Sequence, residues 1–136
     1  MKIFLICSKR FYGHLPEVEA KLKALGHKIT MPNCFDRPET EDKYRSLGTE
    51  EHAKWKSEMI KHSTDVINGS DAVLVLNFKK DNFENYIGGA TFLEMYDAFR
   101  LNKKIYLYND IPQGMLRDEI VGFCPTIISG DLTKVK

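Results

Sequence analysis

Only three of the 136 residues are cysteine, and Cys7, Cys34 and Cys124 stand far apart. No C-x-x-C pair or Cys/His cluster has the spacing of a metal site, and His14, His27, His52 and His62 show no ligand spacing either, so no metal is expected. Scattered and odd in number, the cysteines read as reduced thiols in a reducing compartment, and a cytoplasmic location is the expectation. Long apolar runs are also missing. Nothing approaches the ~18 residues that a membrane-spanning helix needs, and the run ending at Cys7 is too short for the core of a signal peptide. Charge of one sign is lacking: twenty basic residues against nineteen acidic leave +1. That balance, with no local basic patch, predicts neither a nucleic-acid polymer nor a membrane as partner. Neither a G-x-G-x-x-G nor a G-x-x-x-x-G-K-[ST] fingerprint occurs. Ser8-Lys9-Arg10 lacks the hydroxyl- and glycine-rich spacing of a flavin phosphate loop, so no cofactor is expected. There is no internal repeat, low-complexity segment or linker, and residues 1–136 read as one domain.

What is present alternates. The continuous apolar run Ile3-Phe4-Leu5-Ile6-Cys7 predicts a strand covered on both faces, followed by a polar loop over Ser8–Gly13. A helix follows, with Pro16 in its first turn, an apolar stripe of Val18, Leu22 and Leu25, and Gly26 as its left-handed cap. His27–Met31 predicts a short strand stopped by Pro32. Asn33–Gly48 is a polar stretch expected as a long loop with at most one helical turn, and closing over a site is one use of such a loop. Thr49 can cap the next helix, whose expected buried face is Trp55, Met59, His62 and Val66. Ala72–Leu76 is the most apolar strand and should be central. A helix from Gly89 to about Leu101, a strand over Ile105–Tyr108, a short helix over Leu116–Val121 and a last strand at Thr126–Ile128 complete the pattern. Strands alternating with helices predict an α/β fold: a flavodoxin-like, three-layer arrangement around a mostly parallel five-stranded sheet.

In such sheets ligands bind beyond the carboxyl ends of the strands. This gathers Cys7-Ser8, Asn77-Phe78, Tyr108-Asn109-Asp110 and the loop through Tyr86 into Gly88-Gly89 around one crevice. Gly88 and Gly89 let backbone approach a ligand, and the helix end behind them suits a phosphate or carboxylate, although a plain loop-to-helix turn also explains two glycines. Glu94 lies beside an apolar stripe, where a carboxylate needs a partner or a purpose. Ser8-Lys9-Arg10 reads as a solvated turn or a phosphate contact. Phe78, Phe83 and Tyr86 can stack on a base or simply pack the loop. Asn77 offers a donor and an acceptor.

The opening Ile-Phe-Leu strand, the run Ser70-Asp71-Ala72-Val73-Leu74-Val75-Leu76, and Gly-Gly-Ala-Thr-Phe-Leu-Glu-Met-Tyr-Asp-Ala followed by Asn102-Lys103-Lys104-Ile105 together resemble the nucleoside 2-deoxyribosyltransferase family. That family includes the deoxynucleoside 5′-monophosphate N-glycosidases. The resemblance implies an often dimeric protein that breaks the bond between base and deoxyribose of a nucleoside or nucleotide. It implies Glu94 as the carboxylate nucleophile and Asp71 as a site residue; a role capping the Asn68-Gly69 turn is the alternative for Asp71. The departing base then needs an acid, and Asp97, three residues on, and Asp110, at the end of the fourth strand, are the candidates. Two positions depart from the family pattern: Phe4 stands where a tyrosine is common, and Gly88 where an aspartate is common. The alternative function is a binding module that holds a nucleotide or other small molecule without cleaving it.

Overall fold

The computed structural model describes residues 1–136. Strand β1 (Lys2–Ile6) is followed by a 3-10 helix (Lys9–His14), α1 (Leu15–Ala24), β2 (Lys28–Thr30), α2 (Thr40–Ser46), α3 (Thr49–Asn68), β3 (Ala72–Val75), α4 (Gly89–Arg100), β4 (Lys104–Leu107), α5 (Arg117–Gly122), β5 (Thr126–Ile127) and a closing 3-10 turn (Leu132–Lys134). The five strands form one all-parallel sheet in the order β2-β1-β3-β4-β5, the flavodoxin-like topology. The chain reverses its winding between β1 and β3, which makes that pair the switch point.

Both faces of the sheet are covered, which is why β1 and β3 are apolar without alternation. Ile3, Leu5, Leu74 and Tyr106 pack on Leu15, Val18 and Leu22 of α1 and on Leu132 and Val135. Phe4, Ile6, Val73, Val75 and Leu107 turn to the other side, against Ile67 of α3, Met95 and Ala98 of α4 and Ile120 of α5. Phe4 is fully buried in that apolar layer, so a tyrosine hydroxyl there would have to find a partner among hydrocarbon. β3 is the middle strand, as its composition predicts. Gly26 adopts φ +92° and ends α1 as expected. No helix is long and apolar enough to cross a membrane.

Several local expectations are corrected. The segment after β1 is a 3-10 helix, because Phe11 is buried and pulls the polar stretch onto the core. The stretch before α3 carries the seven-residue α2. Gly48, at φ +122°, holds the cap position of α3, and Thr49 is already the first helical residue. Ser63 and Ile67 are the buried residues of α3, whereas His62 faces solvent. On α4, Thr91, Met95 and Ala98 are buried. Leu93, Tyr96 and Phe99 of the same helix are exposed.

Candidate active site

A cleft of about 290 Å³ opens at the carboxyl end of β1, between α3 and α4. Its floor is Cys7 and Ser8. One wall is the face of α3 carrying Trp55, Met59 and Ser63; the opposite wall is Tyr86 and the first turns of α4, from Gly88 to Asp97. Pro32, Asn33, Cys34 and Pro38, with Glu41 of α2, form the remaining side. The stretch expected as a loop therefore borders the cleft.

Glu94 occupies the second turn of α4 and is only partly exposed. Its Oε2 accepts a hydrogen bond of 2.8 Å from the Ser63 hydroxyl. Oε1 has no protein partner, and no buried side-chain polar atom goes unpaired, so Oε1 is the oxygen open to the cleft. Burial pushes the Glu94 carboxyl up to about 7, and the Asp97 carboxylate adds to the rise; the Ser63 hydrogen bond and the Lys56 charge oppose it. Asp97 shares the wall, and its Oδ2 accepts 2.6 Å from the Thr64 hydroxyl. Two consecutive α3 hydroxyls thus hold the two acidic side chains of α4.

Burial, and then the charge of Glu94, raises the Cys7 thiol to about 12. Burial likewise raises the Tyr12 phenol, with Cys7, Glu94, Cys34 and Glu41 adding to the effect. Both groups are protonated at neutral pH, so Cys7 is no thiolate nucleophile. The first three backbone N–H groups of α4, at Gly89, Ala90 and Thr91, have no intrahelical acceptor, and no side chain caps them. All three residues line the cleft. Tyr86 leans over Gly88: a Cβ at position 88 would lie 3.2 Å from the Tyr86 hydroxyl. The phenol thus fills the space that a side chain at 88 would enter.

No family model matches this sequence, and no curated protein does.

Of the residues singled out by sequence, the structure brings Ser8, Tyr86, Gly88, Gly89, Glu94 and Asp97 together. Others stand outside the cleft. Asp71 sits at the amino end of β3, the opposite end of the sheet, where its exposed carboxylate accepts 2.7 Å from the Lys2 N–H. The Lys2 bond lowers its pKa and ties the start of β1 to β3, so the carboxylate serves neither the cleft nor the Asn68-Gly69 turn. Asn77 is fully buried and spends its amide on the chain beyond β4: Nδ2 donates to the Asn109 and Asp110 carbonyls, and Oδ1 accepts 2.8 Å from the Asn109 N–H. Asn109 returns a bond of 3.1 Å to the Asn77 carbonyl. The pair clamps two strand ends, and the Asn77 amide is not free for a ligand. Asp110 is exposed and accepts from the Ile111 N–H. Phe78 packs edge-on against Phe11 and at a tilt against His14 and Tyr108, on the far side of β1.

Sequence reasoning missed Tyr12, Asn33, Glu41, Trp55 and Ser63 as cleft residues. Ser63 lies four residues from Met59, on the apolar stripe of α3, and that spacing was the available signal. Nothing local marks Asn33 or Glu41. α2 is held against α3 by Tyr44 stacked on Trp55, centroids 5.7 Å apart, and by Glu41, which accepts 2.9 Å from His52 Nε2 and 3.1 Å from Lys56; within α2 it also accepts 3.3 Å from Arg45. Partial burial raises the Glu41 carboxyl, but these donors and the Lys56 and Arg45 charges outweigh it, and the net direction is down. Glu41→Ala should therefore loosen this side of the cleft. Amide hydrogen exchange over residues 40–46 is expected to quicken roughly ten-fold, while the strands keep their protection. Unchanged exchange in α2 would show that stacking alone holds it.

Proposed function

We propose that this chain cleaves the N-glycosidic bond of a deoxynucleoside or its nucleotide, with Glu94 as nucleophile. The observation that carries the reading is the Glu94 carboxylate itself: one oxygen is held by Ser63, and the other is open to a cleft at the strand carboxyl ends. Oε1 attacks the anomeric carbon as the bond to the base nitrogen breaks, through an oxocarbenium-like transition state. The electron pair of that bond leaves with the base, which takes a proton from the Tyr86 hydroxyl above Gly88. Water, or a second base, then attacks the same carbon and releases Glu94, and its proton restores Tyr86. The free N–H groups at the start of α4 suit the phosphate of a 5′-monophosphate, and Trp55 offers a flat face to the base. With three free thiols, a reducing, cytoplasmic setting suits the protein.

A second reading, binding without cleavage, is favoured by the absence of Asp71 and Asp110 from the cleft and by the missing hydroxyl at Phe4. A product assay over a panel of deoxynucleosides and their 5′-monophosphates, run beside Glu94→Gln, separates the two. Free base from the unaltered protein alone supports cleavage. A ligand-dependent rise in melting temperature without product supports binding.

The reading includes a homodimer. Leu93, Tyr96 and Phe99 recur every third residue on α4 and are 41–46% exposed, and Ile60 of α3 is 42% exposed; a second copy would bury such a stripe. Light scattering is expected to give twice the chain mass, and Phe99→Glu to give the monomer. A monomeric parent protein removes the dimer from the proposal.

A further inference from the structure

Asn33 belongs to the stretch that sequence reads as a polar loop, yet its side chain sits one bond from the group that holds Glu94. Its Nδ2 donates 2.7 Å to the Ser63 hydroxyl oxygen and lies 3.4 Å from the Met59 carbonyl. Met59 precedes Ser63 by four residues on α3. A serine inside a helix ordinarily turns its hydroxyl back onto that carbonyl. Here the Asn33 amide stands between the two. The carbonyl accepts only, which fixes the amide with its nitrogen inward. The Ser63 oxygen then receives a hydrogen bond, and its single proton is directed to Glu94 Oε2, 2.8 Å away. Ser63 is only 5% exposed, which limits the access of water to that proton.

We propose that Asn33 and Ser63 are positioning residues that orient the Glu94 carboxylate through a one-way hydrogen-bond relay, Asn33 to Ser63 to Glu94. The proposal rests on the reading of Glu94 as nucleophile, and it deepens that reading. The relay gives the carboxylate a donor on Oε2 and leaves Oε1 to react. It also ties the β2–α2 stretch to the reacting group, since the Asn33 carbonyl in turn accepts a 3.4 Å contact from the Tyr12 hydroxyl. The groups facing Glu94 are Asp97 on its own helix, Lys56 on α3, Cys7 at the end of β1 and Tyr12 on the 3-10 helix. None of these is changed by substitution at 33 or 63.

The Glu94 side-chain carboxyl carbon, followed by NMR from pH 4 to 9, reads the relay without any turnover. Ser63→Ala removes a bond to the charged form, so the Glu94 midpoint should rise by about one unit. Ser63→Thr, which keeps the hydroxyl, should restore it. Asn33→Asp replaces the donor by an acceptor that draws the Ser63 proton away and adds a negative charge, so the midpoint should rise further than in Ser63→Ala. In turnover, Ser63→Ala should move the acid limb of the kcat/KM profile up with the midpoint and lower the plateau roughly ten-fold, since a misplaced nucleophile loses rate even when ionised. A midpoint unmoved in both Ser63→Ala and Asn33→Asp, with folding intact by circular dichroism, overturns the relay. Absence of product from the unaltered protein overturns the glycosidic reading instead, and the carboxyl titration still decides the relay.

Discussion

Glu94→Gln is expected to abolish release of free base from every deoxynucleoside or 5′-monophosphate that the unaltered protein accepts, lowering kcat/KM on the order of 10³-fold or more. The substitution isolates chemistry from shape. Glutamine has nearly the size of glutamate, and its amide oxygen can accept the Ser63 hydrogen bond in place of Oε2. What it lacks is a charged oxygen able to form the sugar ester. The same reasoning sets the pH dependence. The nucleophile must be ionised, and burial puts the Glu94 carboxyl at about 7 in the free protein. The kcat/KM profile of the unaltered protein should therefore rise with pH through an acid limb near 7, well above the usual carboxylate range. A folded Glu94→Gln protein with undiminished base release removes Glu94 from the mechanism.

The second large effect concerns stability, and its sign runs the other way. Glu94 titrates at about 7 when folded against 4.5 as a free side chain. Below 4.5 it is protonated in both states, and its full contribution is present. As pH rises from 4.5 through 7 the unfolded chain releases its proton first, and the folded state loses about 3 kcal/mol. At pH 8 the ionised carboxylate thus strains the fold, and Glu94→Gln should stabilise it by that order, raising Tm by roughly 10 °C. At pH 4.5 the gain should nearly vanish. Glu41, held down by its basic partners, loses its contribution as pH falls instead, so it cancels in the difference between parent and variant. Equal Tm differences at pH 4.5 and 8 would contradict the burial of the Glu94 charge. A variant both inactive and more stable is the signature expected of a group whose strained ionisation serves a reaction.

The strands were legible because a strand buried on two faces must be apolar throughout. Ile3–Cys7 and Ala72–Leu76 have no other use for that composition in a chain of this length. The cap at Gly26 was equally local, since φ +92° selects glycine. Where expectation and structure part, a contact distant in sequence decides. Phe11 winds a polar stretch into a 3-10 helix because the core has room for its ring. α2 forms because Tyr44 and Glu41 meet Trp55, His52 and Lys56. Asn77 looked like a ligand contact, and only the position of Asn109 beyond β4 shows its amide to be spent. Asp71 followed the right glycine turn at the wrong end of the strand for the cleft.

By itself, then, the sequence determined the parallel sheet, its central strand, and the glycine turn that starts α4 with Glu94 in its second turn. These follow from periodicity and backbone freedom, which act over a few residues. Tertiary structure alone decided that Ser63 and Asn33 meet Glu94, that Tyr86 fills the space above Gly88, and that Asp71, Asn77, Asn109 and Asp110 stand outside the cleft. Hydrogen bonds across thirty residues of chain and the desolvation of a carboxylate depend on which elements pack together, and no short stretch of sequence carries that information.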